Sequence, residues 1–166
     1  MARDQQNLGF SNPITDAEFR AAAQFLANTL EAGGIIKTAD TGQINLATAT
    51  FPTANETAAG YEIRRFSDSL QSSAPIFLKF EYGRGLVPYE MALFLTIGTG
   101  SSGTGNITNI KFPRTQIRVA TNAAPAPCYV SAGPGWFVYY MLASTDYYGY
   151  SPNLSIERSK APDGSD

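Results

Sequence analysis

Hydrophobic and polar residues alternate most clearly in two blocks near the middle of the chain. In IFLKFEY, Ile76, Leu78, Phe80 and Tyr82 fall on one face and Phe77, Lys79 and Glu81 on the other, the period of a half-buried strand. MALFLTI repeats the pattern with an inner row of Leu93, Leu95 and Ile97, and the glycine- and proline-containing stretch Tyr82–Tyr89 between the blocks predicts a hairpin with a sizeable loop. Upstream the period changes to that of a helix. Phe19, Ala22, Ala23, Leu26 and Leu30 form a stripe that Phe25 widens, Thr15-Asp16-Ala17-Glu18 is a capping box, and Gly33-Gly34 supplies a stop, so one amphipathic helix is expected over Asp16–Ala32.

From there to the end the pattern is that of strands. Candidates are Ile35–Thr38, Ile44–Phe51, Tyr61–Phe66, Pro75–Tyr82, Met91–Ile97, Ile107–Val119, Tyr129–Ala132, Trp136–Leu142 and Leu154–Arg158. Short strands at this turn-punctuated spacing predict a mainly β fold, an antiparallel β-sandwich or barrel with one N-terminal helix. A chain of 166 residues has the core of one ordinary domain, expected here over 15–160. Met1 to Ile14 is expected to be an arm outside that domain, and 161–166 a flexible tail.

The middle of the chain also resembles a family of structural proteins of tailed-bacteriophage and prophage virions. The resemblance rests on Tyr61-Glu62-Ile63, Arg65-Phe66, Asp68, Leu70-Gln71 and Ala74-Pro75, leading into Glu81-Tyr82-Gly83. It continues through Thr96-Ile97-Gly98-Thr99-Gly100, Gly105-Asn106-Ile107-Thr108 and a closing Leu154-Ser155-Ile156-Glu157-Arg158-Ser159. It implies a non-enzymatic virion component, tail or baseplate associated, present in repeated copies among other virion proteins and assembled in the host bacterial cytoplasm. No catalytic, cofactor or metal residues come with it. The alternatives are a capsid decoration protein and a carbohydrate-binding module that attaches the particle to a host surface glycan.

Charge adds little to this. The formal net charge is −2, from 12 basic and 14 acidic residues, which argues against nucleic-acid binding as the main role. Its distribution is less even: no acidic residue lies between Glu90 and Asp146, while Lys111, Arg114 and Arg118 recur at near-strand spacing. They form either a basic ridge facing an acidic partner or phosphate, or an ordinary solvated strand face. No apolar run has the length of a signal or a membrane span, so no membrane insertion is expected.

Three chemical motifs dissolve on inspection. Asp40-Thr41-Gly42 matches the aspartic-protease triplet, but Lys37-Thr38 and Gln43 flank it and turn chemistry accounts for it. Gly98–Gly103 formally fits a dinucleotide fingerprint, yet no helix start follows, so a hairpin tip or a partner-touching loop is the better reading. Histidine is absent, which removes the Ser-His-Asp and Cys-His arrangements, and among carboxylates such as Asp68, Glu81 and Glu90 no pair stands out. The single cysteine, Cys128, reads as a buried thiol. No cofactor is implied.

The aromatic C-terminal third is the richest remaining feature. In a strand, Trp136, Val138, Tyr140 and Leu142 share one face and Phe137, Tyr139 and Met141 the other, so both faces seek cover and one predicts a partner. Tyr147, Tyr148 and Tyr150 lie in loop-like surroundings. Trp136, Tyr139, Tyr147, Tyr148, Tyr150, Lys111, Arg114 and Arg118 are therefore the candidate interface or glycan contacts.

Overall fold

A computed structural model of the chain describes residues 1–120, 126–141 and 153–158. Two antiparallel sheets pack across one core in a sandwich-like arrangement. The first sheet contains β2 (Ile35–Lys37), β3 (Ala58–Phe66), β4 (Phe77–Arg84), β5 (Met91–Ser101) and β6 (Ile107–Ala120), in that order. The second runs β1 (Ala2–Leu8), β7 (Ala126–Gly133), β8 (Trp136–Met141), β9 (Asn153–Glu157), and α1 (Asp16–Ala32) closes the side of the core against β7, β1 and β2. The sheets remain open, so the sandwich and not the barrel is correct.

The alternation read from the sequence builds this core directly. Leu78, Phe80 and Tyr82 of β4 and Leu93 and Leu95 of β5 face inward, meeting Val130, Phe137 and Tyr139 of the second sheet. Phe80 and Phe137 touch edge to face with centroids 5.6 Å apart, a contact that spans the two layers. The expected hairpin is present: Arg84 pairs with Met91, and the loop between them closes through the Gly85 amide donating to the Glu90 carbonyl at 2.9 Å.

Helix α1 has the predicted ends. The Glu18 amide donates to the Thr15 hydroxyl at 3.3 Å while the Thr15 amide donates to the Glu18 carboxylate at 2.8 Å. At the other end Gly34 adopts φ +92°, the left-handed stop, and Gly33 lies so close to β7 that a Cβ there would sit 2.3 Å from the Ala132 Cβ.

Two expectations need correction. Met1 to Ile14 is no external arm: residues 2–8 pair with β7 along their whole length, and Leu8, Phe10 and Ile14 are buried in the core. Its sequence hides this because ARDQQNL is an edge strand whose adhesion comes from main-chain pairing. Ile44–Phe51 is likewise a loop and not a strand. Isolated bonds replace a ladder along its backbone: the Ile44 amide donates to the Tyr61 carbonyl at 2.9 Å, the Phe51 amide to Asp16 Oδ1 at 2.7 Å, and Arg20 to the Ala49 carbonyl at 3.0 Å. Leu46 plugs the core, and Phe51 stacks on Phe19 with centroids 5.4 Å apart.

The capping carboxylate also sets a pH response. Burial raises the Glu18 pKa, but four donors from Thr15 and Ser11 outweigh it and bring it from 4.5 to about 2. With the folded value below the unfolded one, its contribution is complete above about pH 4.5 and disappears as the pH falls toward 2. Glu18→Gln should therefore lower stability at pH 7 and flatten the decline between those values, measured by urea titration at a series of pH values.

Candidate interaction surfaces

Several residues of the Tyr61–Gly83 and Leu154–Ser159 segments come together inside the fold in two polar clusters. Glu62 and Arg64 point into the sandwich from β3 and are both 3% exposed, which makes them a buried ion pair. Arg64 Nε donates to Glu62 Oε2 at 3.0 Å, and Arg64 Nη1 to Glu31 Oε2 at 2.7 Å and to the Ile35 carbonyl at 2.8 Å. Lys37 Nζ donates to Glu62 Oε1 and the Tyr82 hydroxyl to Glu62 Oε2, each at 3.0 Å. Burial pushes the Glu62 carboxyl up, but the Arg64 charge and the Lys37 hydrogen bond hold it below its ordinary value. Burial, with the Glu62 charge beside it, holds the Tyr82 phenol well above its own.

A second cluster joins the two ends of the pattern. Arg158, just beyond β9, is 7% exposed at its side chain and reaches the connection between β3 and β4. Its Nη2 donates to Gln71 Oε1 at 2.9 Å and its Nη1 to the Ala74 carbonyl. Its Nε lies 2.9 Å from Asp68 Oδ2, an ion-pair contact without hydrogen-bond alignment, and the guanidinium stands 5.5 Å from the Phe66 ring. Gln71 in turn holds the Ile76 backbone from both sides, at 3.1 Å each.

The two dismissed motifs also meet. The Thr41 amide donates to the Gly103 carbonyl at 2.9 Å, and the Tyr61 hydroxyl to the Thr41 carbonyl at 2.7 Å. Asp40 accepts from Thr38 Oγ1 at 2.6 Å, from the Ser101 hydroxyl and from the Gly105 amide. Burial opposes the ionised form of Asp40, but these donors prevail and lower its pKa. The carboxylate thus pins the tip of the β5–β6 hairpin to the turn after β2.

The predicted contact residues separate into distinct places. Arg114 is exposed and lies 3.0 Å from Glu81 Oε2, with its guanidinium 3.7 Å over the Phe94 ring, so its charge is matched within the chain. Lys111 is exposed, and Arg118 lies opposite Ala92 on β6, its side chain outside the described residues. Two register slips, where Leu95 to Ile97 face Thr115 to Phe112 and Ile97 to Gly98 face Phe112 to Ile110, break the alternation that a single ridge requires. Tyr147, Tyr148 and Tyr150 lie outside the described residues. Tyr139 is corrected as a contact: it is 2% exposed and its hydroxyl donates to the Val119 carbonyl. The Cys128 thiol beside it is buried and pushed up to about 12 by burial, so it stays protonated at neutral pH.

Trp136 is different. It stands on the outer face of the second sheet with Val138 and Tyr140, beside Tyr129 and Ser131 of β7 and Arg3 of β1, around an open concavity of about 620 Å³. Tyr129 and Tyr140 are cross-strand partners with ring centroids 6.2 Å apart. Alternation along β8 marked two apolar faces; the packing shows that Phe137 and Tyr139 take the core and that Trp136, Val138 and Tyr140 are left outside. Tyr129 and Arg3 were missed, because Tyr129 reads as core strand and β1 as an arm. Among the described residues, no group of three or more His, Cys, Asp or Glu side chains is arranged to hold a metal ion.

No family model, curated protein or solved structure matches this chain.

Two substitutions test the clusters. Glu62→Gln leaves the buried Arg64 with only the half-exposed Glu31 as counter-charge and should cost about 3 kcal/mol. Arg158→Ala should cost about 2 kcal/mol, with Arg158→Lys recovering less than half because an ammonium cannot bridge three acceptors as a planar fork does. Both are read from urea unfolding at pH 7.

Proposed function

We propose that this protein is a non-enzymatic structural component of a tailed-bacteriophage virion, associated with the tail or baseplate, present in repeated copies and assembled in the bacterial cytoplasm. One observation carries the reading. The two halves of the family pattern, Phe66–Ala74 and the segment ending at Arg158, form a single clamp, with hydrogen bonds that span 84 and 87 residues. Residues far apart in the pattern thus act as one physical unit, which supports the reading. Other positions in the pattern are equally structural: Glu62 and Tyr82 share the buried ion network, and Gly83 passes so close to Thr57 that a Cβ would lie 2.1 Å from its carbonyl oxygen.

The outer aromatic face agrees with this role, because a subunit that works by docking keeps an apolar patch uncovered until it is assembled. A second reading is favoured by the same face. Trp136, Tyr129 and Tyr140 beside the Ser131 hydroxyl offer the stacking and polar groups that a host glycan needs, which suits an attachment module.

Mass spectrometry of tail and head fractions from disrupted particles tests the proposal. Several copies per particle in the tail fraction are expected. Recovery with heads alone would replace it with capsid decoration, and absence from both fractions would overturn the virion reading.

A further inference from the structure

Outward-pointing residues on the second sheet can be placed in rows from the strand registers. One row is Gly133, Trp136 and Glu157; the next is Arg3, Ser131, Val138 and Ser155; the third is Gln5, Tyr129 and Tyr140, with Asn153 paired opposite Tyr140. The centre of the face is apolar, and Val138 is 37% exposed there, an unusual position for a valine on a central strand. Among the described residues, its two charged side chains lie at opposite edges, Arg3 on β1 and Glu157 on β9, both exposed.

We infer that this face docks on the same face of a second copy of the chain, with the two-fold axis parallel to the strands. The charges select both the occupant and the axis. An axis crossing the strands would lay β1 on β1, setting Arg3 against Arg3 and Glu157 against Glu157. An axis along the strands lays β1 over β9 of the second copy, so Arg3 approaches the second copy's Glu157, one row away. That offset is about 7 Å, which the length of an arginine side chain spans. Because the contact is two-fold symmetric, the attraction occurs twice.

Shape favours the same arrangement. This axis passes between β7 and β8, so each β8 side chain lies over the β7 residue of its own row. Val138 then covers the second copy's Ser131, large against small, and Tyr140 covers its Tyr129. At the row of Gly133 and Trp136 the profile is low, because the Trp136 indole leans onto Gly133, where a Cβ would lie 2.3 Å from Nε1. Two sheets stacked in this way come together as aligned sheets do in a sandwich core, about 10 Å apart.

The inference does not depend on the virion reading. A dimer absent from particles would leave it standing, and a particle component that remains monomeric in solution would overturn it alone. The test is analytical ultracentrifugation and light scattering of the full chain over a range of concentrations. A dimer is expected. Trp136→Ala should raise its dissociation constant about 100-fold or more, since each interface contains the residue twice. Arg3→Glu or Glu157→Arg alone should raise it about tenfold, and R3E/E157R together should restore it to within about threefold. All three positions changed here lie on the outer face of the sheet, and the charge reversals remain decisive if Trp136→Ala does not fold. A monomer at millimolar concentration overturns the inference. So does a dimer indifferent to both single reversals, or one that the double reversal fails to restore.

Discussion

The packing of the first half of the chain depends on satisfying Arg64. A guanidinium 3% exposed on the inner face of a sheet has to be surrounded by acceptors, and those acceptors come from three separate elements: Glu31 in the last turn of α1, the Ile35 carbonyl that opens β2, and Glu62 two residues away on β3. Each contact therefore sets a position as well as contributing energy. Moving the helix by one turn, about 5.4 Å, would remove Glu31 and leave the charge short of a partner. An apolar group of equal size would hold the layers about as tightly, since burying an ion pair costs much of what its attraction returns. What the pair adds is a penalty on every other register.

Legibility in the sequence followed how local the determining forces are. The ends of α1 are set by groups three residues apart at one end and by adjacent glycines at the other, so Thr15, Glu18, Gly33 and Gly34 announced them. The β4–β5 hairpin is contiguous and was equally plain. Residues 2–8 were not, because a polar strand is held by a ladder to β7 whose partner lies well over a hundred residues away. Ile44–Phe51 looked like a strand, yet a loop delivers Ile44, Leu46 and Phe51 to the core when Asp16 and Arg20 serve its backbone.

The surface residues show the same division. Alternation assigns Trp136 and Phe137 to opposite faces of β8 but cannot say which face meets the other sheet; that depends on how the layers stack. Charge spacing on β6 suggested a ridge, and the sheet disposed of it, partly through register slips and partly through Glu81, which neutralises Arg114 from two strands away. Arg158 is the clearest case. Nothing near it in the chain indicates that its partners are Gln71 and Ala74, 87 and 84 residues away.

The order β1-β7-β8-β9 has a mechanical side. Ala2 lies opposite Ala132 and Glu157 opposite Trp136, and Gly133 pairs with Trp136, so both outer strands bring their terminal ends to the same end of the sheet. Tension applied sideways between those ends would strip hydrogen bonds one after another instead of stretching a whole ladder at once, the weaker of the two ways to pull a sheet apart. The two sides are held differently among the described residues: at β9 the strip must first extract Arg158 from its seat on the opposite layer, whereas at β1 Ala2 is held within its own sheet by the ladder and the Ser131 hydroxyl. Under strain the molecule would open from its amino-terminal edge, with the carboxy-terminal edge as the fixed anchor.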